Sequence, residues 1–481
     1  MSANTVISPP RLASIIEPVA TRSPNASLCL FVSDVLSVSI VFWLVVLSKY
    51  FFNPDLNLKM YLAVFPTVLL FFPVFLFQSL YPALLMHPAE EMQRIFHSVT
   101  AVLLVLASTI FLRKTGADYS RYVVLVGWIL AAPAILLGRY STRRLFCQTS
   151  WWSVPGVILG SGASARELAR SLKNTSFGLR IMGVLLDGPV GHWDDDLPPL
   201  LGHLYDAPVI AQHVARYAIV TMPDRSHAEI RKIVQDHCRS FHRVLMVTEI
   251  PGICSLGATV REVGGQVGLE VPQRLCHTTP KIIKRCLDIV GSGSLLLLLM
   301  PVFLMVAIAI KLNSRGNVVF GHRRYGKDGK AFQALKFRTM VTDADRILKT
   351  YLERHPELMQ EWQRDHKLKG DPRITGVGRW LRRYSLDELP QLVNILLGQM
   401  SLVGPRPIVK SEIDRYADSY DLYTRVPPGL TGLWQVSGRN NTTYDQRVAF
   451  DEYYIRNWSI WMDLYILART FQAVLFAHGA Y

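Results

Sequence analysis

The stretch 379–407, "RWLRRYSLDELPQLVNILLGQMSLVGPRP", sets two adjacent acids, Asp387 and Glu388, among four arginines and three prolines. Just before it and within it, Val377, Trp380, Leu381 and Tyr384 fall at i, i+3, i+4 and i+7 and predict one apolar helix face, with Arg379, Arg382 and Arg383 on another side. Pro390 has no N–H and is tolerated only in a first helical turn, so the next helix is expected to start near Asp387. Its apolar stripe is Leu386, Leu389, Val393, Leu396 and Leu397, and its polar stripe Asp387, Gln391 and Asn394. A helix N-terminus offers free N–H groups and the positive end of the macrodipole, which favour a carboxylate or a phosphate. Successive helix positions lie about 100° apart, so the two acids have different tasks: one facing a phosphorus atom, the other helping to hold a cation.

An N-capping aspartate beside surface arginines fits so short a stretch equally well; the flanks tip the balance. Lys336 and Arg338 alternate in the strand-like "ALKFRTM", which predicts a shared face. Pro405-Arg406-Pro407 makes a rigid turn around one guanidinium, suited to bidentate phosphate recognition. Arg439 adds a cation after Gly438. A diphosphate calls for such a set, because its charge must be neutralised before an anion can attack phosphorus.

N-terminal to this region, "KIIKRCLDIVGSGSLLLLLMPVFLMVAIAIKLNSRG" holds an apolar segment, 286–310, long enough to cross a bilayer. Lys281, Lys284 and Arg285 flank one end and Lys311 and Arg315 the other, while Pro301 interrupts the helix. Symmetric positive flanks and the proline predict a re-entrant helix that returns to its starting face. Four more apolar runs, at 28–47, 60–80, 95–112 and 122–137, each approach the roughly 20 residues needed for a ~30 Å hydrocarbon core. Arg11 and Arg22 before them and Arg139, Arg143 and Arg144 after them favour both ends of the bundle on the cytoplasmic side. Between bundle and 286–310, "VPGVILGSGASARELARSL" reads as strand, glycine turn and helix. Gly160-x-Gly162-x-x-Ala165 is close to a dinucleotide fingerprint, with Asp187 at the end of the next strand where a ribose would bind. No catalytic partner follows, so this domain is expected to be structural or regulatory.

The 481 residues carry a formal net charge of +15, half of them are hydrophobic, and the mean hydropathy is +0.21. The charge favours anionic partners; with no basic tail, zinc finger or aromatic–basic RNA signature, nucleic acid is not expected. Six cysteines form no CxxC and have no histidines at zinc spacing, which argues against a disulfide framework or structural zinc. The expected fold is a membrane α/β protein: a flexible leader (1–27), a four-helix transmembrane bundle (28–145), a Rossmann-like α/β domain (151–276), and a mainly α monotopic catalytic domain (280–481) with its re-entrant membrane helix.

"KFRTM", "DPRIT", "SLDELPQL", "SLVGPRP" and "PGLTGLWQVSGR", in that order, resemble the bacterial sugar transferase family of monotopic polyprenyl-phosphate hexose-1-phosphate transferases. The resemblance covers roughly the last 200 residues, and the bundle plus Rossmann-like domain is similar to the long-form members. It implies a UDP-hexose donor, galactose before glucose, an undecaprenyl phosphate acceptor, Mg²⁺, and a site on the cytoplasmic face of the bacterial inner membrane. The family's acidic dyad falls on Asp387 and Glu388, with Asp387 as nucleophile and both as metal ligands. Its basic positions fall on Lys336, Arg338 and Arg382, its uridine-side turn on Pro405, Arg406 and Pro407, and a further substrate position on Asp451. Where the family has Ser-Pro at the re-entrant break, this chain has Met300-Pro301, which removes a hydroxyl. Trp458, Trp461 and Tyr465 suit the membrane interface, and the accessory domains can support a homodimer.

Overall fold

The computed structural model describes residues 24–475 except 55, 82, 84–85, 113–118, 148, 150, 161, 173–177, 189–192, 194–196, 216, 248–258, 264–265, 271–277, 356–358, 360–370, 418 and 438–442. The proposed leader, apart from its last residues, and Arg439 lie outside the described residues. Two compact units divide the chain, Met1–Pro251 and Gly252–Tyr481.

In the first unit four apolar helical segments are long enough to cross a membrane: Asn25–Phe52, Leu58–Phe77, Pro88–Leu112 and Arg121–Phe146. Their outward faces expose leucine, isoleucine and phenylalanine, whereas Ile95, Val99, Phe75 and Ile135 fill the bundle interior. One polar cluster sits inside. Arg139 donates to both oxygens of Asp34 (2.9 and 2.6 Å), to Oε1 of Glu91 (2.8 Å) and to the carbonyl of Leu80 (3.2 Å). Arg143 donates to both oxygens of Glu91 (2.7 Å each), and the Tyr81 hydroxyl donates to Asp34 (2.7 Å). Arg139, read from the sequence as a charge flanking the bundle, lies within its last helix, 1% exposed and neutralised by Asp34 and Glu91.

The same unit holds a five-stranded parallel sheet in the order β3-β2-β1-β4-β5, with β1 Val154–Gly160, β2 Leu179–Leu186, β3 Leu200–His203, β4 Tyr217–Thr221 and β5 Arg243–Met246. Helices connect β1 to β2, β3 to β4 and β4 to β5, and the largely apolar runs of β1, β2 and β4 follow from burial on both faces. Gly160 ends β1 where a Cβ would collide with Ala165 and with Thr221, so glycine is required for the helix to pack this close. Asp187, the proposed ribose acceptor, is paired with Arg225 at 2.8 Å.

The second unit opens with an antiparallel hairpin, β6 Thr259–Val263 and β7 Gln266–Glu270. Two apolar helices follow, Thr278–Leu298 and Met300–Asn313, bent by 60° at Leu299, so that Pro301 falls in the first turn of the second helix. The bend lies between Leu297 and Pro301, whose missing N–H removes the i+4 donor for the Leu297 carbonyl. Of the five cations proposed as flanks, Lys281, Lys311 and Arg315 are exposed, while Lys284 and Arg285 are used inside the protein. Lys284, 6% exposed, donates to Asp463 at 2.7 Å, and Arg285 donates to the carbonyls of Ile395 and Leu396. Asp463 also accepts from Tyr454 (2.8 Å) and Trp458 (3.1 Å). Trp458 is 3% exposed, so this indole serves the interior rather than the membrane interface. Asp288 accepts from the Ser401 hydroxyl and the Leu402 amide, both at 2.9 Å. The bent pair is thereby tied to β10, Ser401–Val403, the strand that leads into Pro405.

Candidate active site

The site is built on an antiparallel hairpin, β8 Val319–Tyr325 and β9 Ala331–Phe337, whose register sets Phe320 opposite Lys336, His322 opposite Ala334 and Arg324 opposite Phe332. Directly opposed residues share a face, so Lys336, His322 and Arg324 form one polar row about 14 Å long at ~3.4 Å per residue. Arg338 does not join it. It lies beyond the strand end and donates to the Ser314 carbonyl and hydroxyl (2.9 and 2.8 Å), over Gly316, whose φ of +121° and lack of a Cβ make room for the guanidinium. Pairing carries on one residue past β9 through the Arg338 amide and the Val318 carbonyl (2.8 Å), and the Thr339 carbonyl then accepts from the Thr375 amide.

Helix Gly376–Arg383 begins at a Thr375 cap and packs Leu381 and Val377 against Phe337, Val306 and Ile310. Gly378 lets it lie on the Thr339 backbone. Trp380, expected on the apolar face, is 52% exposed and pairs its ring with Tyr384 instead. Arg382 donates to the Thr339 hydroxyl at 3.0 Å. The following helix does not begin at Asp387. Ser385 takes a left-handed φ of +55°, Leu386–Glu388 make a 3-10 turn, and the α-helix runs only over Gln391–Leu396 behind Pro390. Proline cannot donate back into the preceding turn, so the chain closes that turn with shorter-range bonds such as Leu389 to Leu386. The acids thus owe their position to this turn rather than to a helix dipole. Asn394 fixes the turn against the sheet, accepting from the Leu335 amide (3.0 Å) and donating to the Gln333 carbonyl (2.8 Å).

This architecture makes the two carboxylates unequal. Glu388 accepts from Lys336 at 2.6 Å, whereas the nearest oxygen of Asp387 lies 4.0 Å from the same amine. Asp387 is 9% exposed. Burial pushes its carboxyl above the ordinary range, and Glu388 adds to this, against the pull of Lys336 and Arg382. Beside it, Asp371 accepts from Arg373 through both oxygens (2.6–3.1 Å), so that pair is closed. Burial and the charges of Arg324 and Lys336 push His322 below its usual value and favour a neutral ring in the row.

At the far end of the row Arg324 meets a second group of cations. Burial, followed by the charge of Arg406, lowers the pKa of Arg324. Arg324 and Arg447 approach the single carboxylate of Glu412 at 3.9 and 3.5 Å. Arg406 is exposed within the Pro405-Arg406-Pro407 turn, and its guanidinium lies over the Trp434 indole, 5.4 Å from the ring centre. Asp451 is 1% exposed and accepts from the Tyr416 hydroxyl at 2.7 Å; it lies beneath this cluster rather than at its surface. Burial pushes it up to about 7. The sequence reading missed Arg324, Glu412, Trp434 and Arg447. Signals were present: His322 and Arg324 alternate in "GHRRY", and Tyr444, Arg447 and Asp451 fall at i, i+3 and i+7 of one helix.

Residues 279–477 match the family model described as "Bacterial sugar transferase", and residues 81–247 match one described as "CoA-binding domain". The chain is 35% identical to the undecaprenyl-phosphate galactose phosphotransferase of Salmonella typhimurium and 34% identical to the UDP-galactose-lipid carrier transferase of Erwinia amylovora, in each case over 81% of this chain and 82% of the relative. It is 33% identical to the UDP-glucose:undecaprenyl-phosphate glucose-1-phosphate transferase of Escherichia coli, over 65% of this chain and 66% of that one. The chain belongs to the bacterial sugar transferase family and is an enzyme of that class.

Proposed function

We propose that this enzyme transfers hexose-1-phosphate, galactose-1-phosphate first among the candidates, from a UDP-sugar to undecaprenyl phosphate, releasing UMP through a covalent aspartyl intermediate. The observation that carries the reading is the asymmetry of the dyad: Lys336 engages Glu388 and leaves the Asp387 carboxylate with no hydrogen bond from another side chain among the described residues. A carboxylate oxygen of Asp387 attacks the hexose-linked phosphorus. The bond from that phosphorus to the bridging oxygen breaks, and UMP departs with the electron pair. A phosphate oxygen of undecaprenyl phosphate then attacks the same phosphorus, Asp387 leaves as carboxylate, and the polyprenyl diphosphate hexose forms. One phosphoanhydride is consumed and one made, so the exchange is close to balanced and reversible.

Lys336, Arg382 and Arg406 supply positive charge for the two phosphates. Asp387 and Glu388 are oxygen donors of the kind Mg²⁺ takes alongside substrate phosphates, and the described residues offer no cluster of three or more such ligands. Bound there, Mg²⁺ would neutralise charge on the departing nucleotide. The membrane assignment follows from the same chemistry. The bent helix pair enters and leaves one face of the bacterial inner membrane, which keeps Asp387 on the cytoplasmic side with the nucleotide sugars and at the depth of the polyprenyl headgroup. Two galactose-named relatives of long coverage favour galactose.

The test is single turnover with purified protein, Mg²⁺ and UDP-sugar labelled in the β-phosphate, without acceptor. Label should become protein-bound and then be released by added polyprenyl phosphate. Full activity with no trapped label removes the covalent step and leaves direct transfer. UDP-galactose and UDP-glucose run side by side decide the hexose.

A further inference from the structure

A cation meant for a ligand faces a conflict. A carboxylate partner would hold it still but cancel its charge, while no partner leaves it free to wander. Arg406 avoids both. Its exposed guanidinium makes no hydrogen bond or ion pair among the described residues, yet it is seated on Trp434, itself 9% exposed. The indole is also covered by Arg447, 5.2 Å from its centre. Arg447 in turn lies 5.1 Å from the centre of the Tyr444 ring, and Arg415 lies at 5.1 Å over that same ring. Guanidinium and ring therefore alternate from the protein surface inward and out again: Arg406, Trp434, Arg447, Tyr444, Arg415. Arg447 meets Glu412 at 3.5 Å through Nη1 and keeps two nitrogens, Nε and Nη2, without a hydrogen-bond partner among the described residues. Ring faces attract a cation without neutralising it.

We propose that Trp434 and Arg447 are positioning residues for Arg406, holding its guanidinium in place with its charge intact for a phosphate of the nucleotide-sugar donor. This rests on the transferase reading above. Trp434 stands in "GLTGLWQ", in the short helix Leu433–Ser437 directly after β11, Gly429–Thr431. Strand β11 pairs with β10, so the ring and the Pro405-Arg406-Pro407 turn are carried by neighbouring strands of one small sheet. The substrate touches Arg406; Trp434 acts through it.

The experiment is steady-state UMP release by the full-length protein at saturating polyprenyl phosphate, with UDP-sugar varied. Trp434→Leu should raise KM for the UDP-sugar about tenfold while kcat changes little, because binding shared by ground and transition states is what is lost. Trp434→Phe, which keeps a ring face, should restore KM to within about threefold of the parent. In an Arg406→Met background, Trp434→Leu should have no further effect, since both remove the same contact. If Trp434→Leu does not fold, Tyr444→Leu tests the next rung and should raise KM in the same sense by a smaller factor. An unchanged KM, an equal effect with and without Arg406, or failure of phenylalanine to rescue overturns the positioning role. A parent protein that releases no UMP from any UDP-sugar overturns the transferase reading instead, so the two failures are distinct.

Discussion

Two charge clusters, one in each compact unit, use arginine in opposite ways. In the helical bundle Arg139 and Arg143 face Asp34 and Glu91, and each carboxylate is bonded by guanidinium at 2.6–2.9 Å. In the catalytic unit Arg324 and Arg447 share the distant carboxylate of Glu412, and Arg406 has a ring in place of an acid. The first arrangement sums to zero. Nothing less is tolerable there, because an unpaired charge in an apolar bundle costs several kcal/mol. The second keeps a surplus, which is stable only because it stands near water and is useful only if an anion comes to meet it. Pairing with acid holds helices together; pairing with aromatic rings holds a binding site ready.

The sharpest break of this contrast is at the chemistry the surplus serves. Asp387→Asn should lower UMP release by at least ~10³-fold while the protein still binds UDP-sugar; activity near that of the parent would remove the nucleophile. Next in size, Arg139→Met leaves Asp34 with the Tyr81 hydroxyl but no cation, and Glu91 with Arg143 alone, and should destabilise the bundle by about 3–5 kcal/mol, read as a lowered unfolding midpoint in detergent. An unchanged midpoint would mean the quartet holds nothing. Arg406→Met should do the reverse: raise KM for the UDP-sugar ~10-fold with the unfolding midpoint unmoved. A stability loss there would erase the distinction between the clusters.

Two pH profiles probe finer differences. On the proposed mechanism only ionised Asp387 attacks, and its pKa is raised, chiefly by burial, so kcat/KM should fall on acidification with a midpoint above the ordinary 3.8. Arg382 pulls that pKa down, so Arg382→Gln should move the acid limb further up; a shift downward would contradict the assignment. The smallest effect concerns Asp451, whose folded pKa of about 7 lies above its ordinary 3.8. A raised carboxyl pKa favours the folded state at low pH, and that contribution is lost as pH rises through about 7. Asp451→Asn should therefore flatten the fall in thermal stability over that interval.

Much of the fold was legible because membrane helices and buried parallel strands are written as continuous apolar runs. Asp34 was the exception inside the first run, and its meaning lay 105 residues away in Arg139, a distance no local period can span. The dyad was legible as two adjacent acids beside arginines, but its local conformation was not. Pro390 predicts a helix start nearby, and whether the preceding residues join that helix or close a separate 3-10 turn depends on Ser385 adopting φ +55°, which its side chain does not announce. Lys336 fell beside the acids as a strand residue, while Arg338, one residue past the strand, gives its guanidinium to Ser314, a partner its local spacing does not announce. The seat of Arg406 combines residues 406, 434 and 447, brought together by strand pairing and a helix face. Each carries a sensible local reading as turn, core and surface, so only the tertiary structure joins them.

The bundle's ionic quartet also bears on how the chain is made. Asp34 and Glu91 emerge from the ribosome long before Arg139 and Arg143 exist to answer them, so the early helices wait as acids without counter-ions. The set of ion pairs is complete only once the last helix arrives. A chain truncated ahead of that helix presents two naked carboxylates to the bilayer, the sort of defect that membrane quality control can recognise and clear.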